Sequence, residues 1–206
     1  MDSSLSAEIR RKVAREAAFL LYFRIEKEYK QAKLKAAETL GVNFLPTNLE
    51  VAAELDKIAE EMEGPKRSKR LVQMRRQALK IMKILKKHSP TLVGSVWRGT
   101  VHRDSDIDIN VYHNQPEEIL ETLEKENFKI MEKGWVTITQ TGMWHKRYRI
   151  VLELPANIKV EIIVRNSAEQ SAKEKCEIYG DTISGLNIQE LEKTLSKNPA
   201  QRFVPF

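Results

Sequence analysis

The sequence contains one cysteine, Cys176, in 206 residues. A single thiol excludes an internal disulfide framework and a metal site built from cysteines. The longest apolar run, residues 17–23, is flanked by charged side chains and is far too short to span a membrane, and no signal-peptide cleavage site follows it. We therefore expect a cytoplasmic protein without a membrane partner.

Acidic residues are absent from residues 64–90, a segment with ten Lys/Arg. Residues 1–90 hold 20 Lys/Arg against 12 Asp/Glu, whereas residues 91–206 hold 15 against 17. Positive charge of this density favours polyanions such as nucleic acid, although a solvated helix face is the commoner origin of a basic run. The predicted nucleic-acid contacts are Arg67, Lys69, Arg70, Arg75, Arg76, Lys80, Lys83 and Lys87.

Hydrophobic periodicity divides the chain into a helical first part and a mixed second part. Apolar residues at helical spacing predict helices over residues 7–40 and 47–64, and a third that begins at Pro65 and ends before Pro90. We expect an N-terminal helical region over residues 1–64 and a second domain over residues 65–206.

After Pro90 the period changes to that of strands. A turn signal at 155–158 predicts an antiparallel hairpin between the last two of these strands. The fold class predicted is therefore α+β, a small mixed β-sheet with helices, preceded by the helical region. The predicted strands are 91–93, 107–112, 135–141, 147–154 and 159–164, and the predicted helices are 116–126 and 168–196, the latter broken around Gly180 and Gly185.

Two carboxylates occur on one face of the predicted strand over residues 107–112 and of the residue just before it. Alternation places Asp106 and Asp108 on the same side, with their Cβ atoms ~7 Å apart, and the apolar residues on the other. Two like charges at that distance repel each other unless a cation lies between them. The Asp-x-Asp pattern therefore indicates a hard-cation site, with Mg²⁺ as the favoured ion, although surface strands also produce this pattern by chance.

A Gly-Ser pair ends the preceding strand. Gly94 has no Cβ, so a phosphate can approach the backbone N–H groups there, and Ser95 adds a hydroxyl donor. Arg98 and Arg103 lie between this pair and Asp106, so they are candidate phosphate contacts, although surface arginines would give the same pattern. We expect a nucleotide to bind where the pair and the two aspartates meet.

The order Gly94-Ser95, ten intervening residues, then Asp106-x-Asp108 resembles the signature of the DNA polymerase β-like nucleotidyltransferase superfamily. The resemblance covers about residues 78–165. The chain also looks similar to uncharacterised archaeal predicted nucleotidyltransferases with an N-terminal helical extension, more weakly and over residues 30–100.

The resemblance implies a third carboxylate on a nearby strand. Glu161 in KVEIIV matches the acid of archaeal CCA-adding enzymes, and Glu153 in IVLEL is the alternative. It also implies two Mg²⁺ ions held by Asp106, Asp108 and Glu161, and a nucleoside triphosphate substrate, with ATP favoured. The expected reaction is attack of a hydroxyl on the α-phosphate, with release of pyrophosphate.

The acceptor stays open at this point. RNA is favoured because the basic helix leads directly to the Gly-Ser strand. Transfer of AMP to a protein, as in antitoxin-type nucleotidyltransferases, transfer to a small molecule, and a non-catalytic nucleic-acid-binding protein of the same fold are the alternatives. A homodimer and a monomer are both compatible with the long helices.

Overall fold

The computed structural model describes the backbone of residues 3–140 and 143–205 and the side chains of residues 6–138 and 144–205. The chain forms two compact units, Met1–Arg67 with Cys176–Asp181, and Ser68–Lys175 with Thr182–Phe206. The domain boundary between residues 64 and 65 stays a prediction, and the ends of its two ranges, residues 1, 2 and 206, lie outside the described residues.

The first unit is helical. Helix α1 packs against α2 and α3 around a core rich in alanine. The prediction of one helix over residues 7–40 is wrong, because the chain turns at Arg24, which has a φ of 56°. The Leu20 carbonyl accepts hydrogen bonds from the amides of Ile25 and Glu26 at this turn. The helices are α1 (Ser3–Tyr22), α2 (Tyr29–Thr39) and α3 (Asn48–Glu63).

Local chemistry determines both ends of α3. The Thr47 side chain accepts a hydrogen bond from the Glu50 amide, and the Glu50 side chain accepts one from the Thr47 amide, which forms a capping box. Gly64 ends the helix at a φ of 51°, and helix α4 (Pro65–Ile84) begins at the next residue. The predicted helices over residues 47–64 and from residue 65 are confirmed.

The second unit contains the sheet. The helices after α4 are short. None of the helices within residues 3–140 and 143–205 is long and apolar enough to cross a membrane. The elements are β1 (Thr91–Val93), α5 (Gly94–Arg98), β2 (Ile107–Tyr112), α6 (Pro116–Lys125), β3 (Lys129–Gln140), β4 (Met143–Leu154), β5 (Ile158–Arg165) and α7 (Ile188–Lys197).

The five strands form one mixed sheet in the order β1-β2-β5-β4-β3. Strands β2 and β5 are parallel, and the other neighbours are antiparallel, including the predicted β4–β5 hairpin. Burial alternates along β2, so its apolar residues enter the core and its polar residues line the other face. The α+β fold class is confirmed; of the predicted strand over 135–141, Thr141 lies outside the described residues.

The predicted helix over residues 168–196 is wrong for most of its length. Only α7 and a short 3-10 turn at Ser167–Glu169 are helical there. The chain between them makes isolated bridges, Lys175 with Thr182 and Leu186 with Leu92 of β1. A Cβ at Gly185 would lie 2.4 Å from the Thr91 Cγ2, so contact with β1 determines the backbone here rather than helical periodicity.

Candidate active site

The turn from β1 into α5 lies directly against β2. Val93, at the end of β1, is in register with Asp108. Gly94 follows with a φ of +68°, and a Cβ built on it would lie 1.9 Å from the Asp108 Oδ2. Only glycine avoids both the backbone strain and this clash. The close approach that Gly94 permits is thus, in this structure, that of the Asp108 carboxylate.

The three predicted acids lie on the same face of the sheet. Asp108 and Glu161 are paired residues on the neighbouring parallel strands β2 and β5. Asp106 precedes β2 by one residue. All three residues are half-buried. The structure therefore brings Gly94 and the three acids together.

The crowding of these acids changes the proton affinity of Asp108. Loss of water around its carboxyl, followed by the nearby charges of Glu161 and Asp106, raises the pKa of Asp108 to about 8. A cation between the carboxylates would relieve the same repulsion. The donor set therefore fits a hard divalent ion such as Mg²⁺.

Glu161 also has a basic neighbour. The Arg149 Nε donates a hydrogen bond to Glu161, and its Nη1 donates to the Glu132 Oε2 at 2.7 Å. Among the described side chains, those of residues 6–138 and 144–205, no three acids, histidines or cysteines are already arranged to hold an ion. Glu161 must share or release its contact with Arg149 to complete such a site.

The alternative acid, Glu153, lies one strand further from the aspartates. It is on β4 opposite Lys159, and its carboxylate is ion-paired with Lys129. Glu161 is on β5, directly beside β2. The geometry thus favours Glu161, whose role as third ligand stays a prediction.

The two arginines predicted to contact nucleotide differ in position. Arg98 is only 3% exposed; its Nη1 donates to the Phe203 carbonyl at 3.1 Å, and its guanidinium lies over the Trp97 ring. A guanidinium enclosed in this way is not available to a phosphate, which corrects the prediction for Arg98. Arg103 is exposed, and its Nε is 3.3 Å from the Asp104 carboxylate. A role for Arg103 and for the half-buried Ser95 stays a prediction.

The basic segment also divides into buried and exposed residues. Arg67 is 5% exposed and ion-paired with Asp56 and Glu60. Arg75 is fully buried and donates to backbone carbonyls. The prediction that Arg67 and Arg75 contact nucleic acid is therefore corrected, because their guanidinium groups already bind partners within the protein.

The other predicted contacts on α4 and just after it remain accessible. Lys69, Arg76, Lys80 and Lys83 are spaced by seven, four and three residues and therefore lie on one side of α4, whereas Lys87 follows in a short 3-10 turn. Ser68, Gln73 and Gln77 lie beside them and line a shallow groove along α4. The Lys83 Nζ is 2.6 Å from Glu192 of α7, and Arg70 is half-buried. The exposed stripe consists of Lys69, Arg76, Lys80, Lys83 and Lys87.

Residues 75–180, just over half of the chain, match the family described as a nucleotidyltransferase domain. The matched range contains the Gly94 turn and all three acids. The chain therefore belongs to the nucleotidyltransferase domain family. This confirms the predicted nucleotidyltransferase family, and the likeness to archaeal members stays a prediction.

Solved structures provide more distant likenesses. A chain of a GLD-2/RNP-8 complex is 18% identical, with 58% of this chain and 40% of that chain covered and a TM-score of 0.36. Cid1 in complex with the UTP analog UMPNPP is 20% identical, with 56% and 37% covered and a TM-score of 0.36. This chain thus spans less than half the length of these proteins. No curated protein sequence matches it significantly.

Sequence reasoning missed the roles of two arginines. Arg149 is opposite Gly134 on β3 and donates to Glu161 on β5. The strand period places Arg149 and Glu153 on one face of β4, with the apolar Val151 between them, and that was the available signal. Arg75 is at helical spacing from the apolar Leu71 and Ala78, which was a signal for its burial, but its partners are up to 126 residues away along the chain and left no local signal.

Proposed function

We propose that this protein transfers a nucleoside monophosphate, with AMP from ATP favoured, to a hydroxyl group of RNA and releases pyrophosphate. The observation that carries the proposal is the packing of the Gly94 turn against Asp108, beside Glu161, in a chain of the nucleotidyltransferase domain family.

Asp106, Asp108 and Glu161 would hold Mg²⁺, with two ions expected. When bound, Mg²⁺ neutralises charge on the triphosphate and lowers the pKa of the attacking hydroxyl. The raised pKa of Asp108 in the absence of a cation is consistent with this role. Arg149, on the strand on the other side of β5, would have to share Glu161 with the ion or release it.

The other residues of the site would position the substrate. The backbone at Gly94 and the Ser95 hydroxyl would orient the triphosphate, with Arg103 as a further phosphate contact. The acceptor oxygen then bonds to the α-phosphorus, the bond to the bridging oxygen of the β-phosphate breaks, and the hydroxyl proton is released. Catalysis of this kind depends mainly on positioning and on charge stabilisation.

The stripe on α4 supports an RNA acceptor. Five exposed cations follow one side of a segment that leads within a few residues to β1 and Gly94. A polyanion bound along this stripe would be held by its phosphates without regard to base sequence.

The test is incubation with each of the four α-labelled nucleoside triphosphates, Mg²⁺ and total RNA. We expect label in RNA from ATP, and its loss in the Asp106→Ala/Asp108→Ala variant. Label from a different triphosphate would correct the nucleotide, and label in protein would correct the acceptor. Absence of nucleotide binding by the folded wild-type protein would contradict the enzymatic proposal.

A further inference from the structure

The segment after α7, residues 198–205, packs against the short helix α5. We call this segment the C-terminal strap. It begins with a turn in which the Asn198 carbonyl accepts a hydrogen bond from the Gln201 amide at 2.9 Å. Further along, the Phe203 amide donates to the Arg98 carbonyl at 2.9 Å, and the Arg98 Nη1 donates back to the Phe203 carbonyl at 3.1 Å.

Arg75 of α4 joins the strap to α5. Towards α5, its Nε donates to the Val96 carbonyl at 3.1 Å and its Nη2 to the Trp97 carbonyl at 2.8 Å. Towards the strap, its Nη1 and Nη2 donate to the carbonyls of Pro199 and Gln201, both at 2.8 Å. The side chain has no exposed surface. One buried guanidinium therefore connects three segments of the chain.

These contacts satisfy the groups that a short helix leaves unpaired. The last carbonyls of any helix lack partners within it, and a helix of five residues is not stable by itself. In α5 the Ser95 carbonyl accepts from the amides of Gly99 and Thr100. The next three carbonyls, of Val96, Trp97 and Arg98, are those that Arg75 and Phe203 bind. Arg75 and the strap thus supply the hydrogen-bond donors that the last three carbonyls of α5 lack within the helix.

Two close contacts show that the strap is fitted to this position. A Cβ at Gly99 would lie 3.0 Å from the Gln201 carbonyl oxygen and 3.3 Å from the Arg202 Cα. The Phe203 ring covers the guanidinium, with its centroid 5.7 Å from the Arg75 Cζ. The first contact leaves little room for a side chain at residue 99, and the second places Phe203 of the strap against Arg75.

We propose that Arg75 is a positioning residue and that the C-terminal strap fixes α5, and with it the Gly94-Ser95 turn, in the orientation that binds the triphosphate. The role of the turn in binding triphosphate rests on the proposed function. The stabilisation of α5 by the strap and Arg75 does not rest on it, so an experiment can contradict either one alone.

Hydrogen exchange without nucleotide tests the fixing. The variants are Arg75→Lys, Arg75→Met and deletion of residues 198–206, with Lys193→Gln on the exposed side of α7 as the control. We expect the amides of Gly99 and Thr100 to exchange at least about tenfold faster in Arg75→Met, because four carbonyls lose a buried donor. Arg75→Lys should give an intermediate change. Unchanged exchange of these amides in folded Arg75→Met would overturn the proposal.

Steady-state kinetics of the same variants test the link to the site. The turn contacts the triphosphate before and during reaction, so we expect KM for the triphosphate to rise about tenfold with a smaller change in kcat. A fall in kcat with unchanged KM would overturn the positioning role. If the wild-type protein binds no triphosphate, the proposed function fails, and exchange still decides whether the strap fixes α5.

A peptide of residues 198–206 provides a final check. Added to the deletion variant, it should restore slow exchange at Gly99, whereas a peptide with Phe203→Ala should do so less well. If the deletion variant does not fold, the Arg75 variants decide alone.

Discussion

At the scale of single residues, the site depends on one missing Cβ. The Asp108 carboxylate occupies the space that a side chain at residue 94 would fill. The position of this carboxylate and the left-handed turn therefore both require a residue without a Cβ at position 94. This explains physically why glycine and the second aspartate occur together in the sequence pattern.

Gly94→Ala should abolish most of the activity. The added Cβ would lie 1.9 Å from the Asp108 Oδ2, so the carboxylate must move, and a displacement of about 1 Å can cost roughly 100-fold in rate. Gly180→Ala is a matched control, with a φ of +74° and no atom within 4 Å of the added Cβ. Its backbone strain is similar, so we expect reduced stability with retained activity. Equal losses of activity in both variants would contradict the explanation.

Asp108→Asn should stabilise the metal-free protein while removing activity. The folded state raises the pKa of Asp108 to about 8 from an ordinary value of 3.8. Ionisation therefore opposes folding above about pH 4, increasingly up to pH 8, and has no effect where both states are protonated. At pH 8 we expect Tm to rise by about 2 °C or more, the shift that 1 kcal/mol produces in a chain of this size. Thermal melts from pH 4 to 8 with a chelator measure this, and a gain that does not shrink towards pH 4 would count against it.

Local patterns predicted the acids but not the buried arginines. Alternation along β2 requires nothing beyond the strand itself, so Asp106 and Asp108 could be placed from the sequence. Arg75 and Arg98 have partners in the C-terminal strap more than 100 residues away. Arginine is usually exposed; the helical spacing of Arg75 from Leu71, Ala78 and Met82 indicated a buried position, whereas no comparable pattern surrounds Arg98.

At the scale of elements, the predictions succeeded where local chemistry determines the boundary. The capping box of Thr47 and Glu50 fixed the start of α3, and Pro65 the start of α4. They failed where another segment determines the backbone. The stretch before α7 follows β1 through the Leu92–Leu186 bridge, and the periodicity of its own residues was therefore misleading.

The stripe on α4 should control the salt dependence of RNA binding. We expect Lys69→Gln/Arg76→Gln/Lys80→Gln to weaken binding and to reduce the slope of log K against log salt by about 2, since each lost phosphate contact to single-stranded RNA contributes about 0.7. A filter-binding titration at several salt concentrations measures this.

The control removes the same charge elsewhere. Lys125, Lys193 and Lys197 are exposed on α6 and α7, so their replacement by Gln lowers net charge equally. If the slope of log K against log salt falls as much in this variant as in the α4 variant, RNA binding depends on total charge, and the stripe is not the acceptor surface.

At the scale of the whole molecule, the parts needed for chemistry lie in one unit. The Gly94 turn, the three acids and the exposed α4 stripe all belong to Ser68–Lys175. The family match also lies within residues 65–206, the range that we propose as the nucleotidyltransferase domain. Residues 1–64 contain none of the proposed catalytic residues.

The fragment 65–206 should therefore bind a nucleoside triphosphate with Mg²⁺ by itself. In the whole chain, Cys176–Asp181 belongs to the same compact unit as residues 1–67, and the Glu177 carbonyl accepts a hydrogen bond from the Asn48 Nδ2 at 3.2 Å. The fragment lacks these contacts, so we expect a lower Tm than that of the whole chain. A ligand at 100 times its Kd adds about 2.7 kcal/mol of stability, and thermal melts should show a rise of several degrees. The same fragment with Asp106→Ala/Asp108→Ala should show none. A folded fragment that does not respond, beside a whole chain that does, would mean that residues 1–64 contribute to the nucleotide site and that the proposed boundary is wrong.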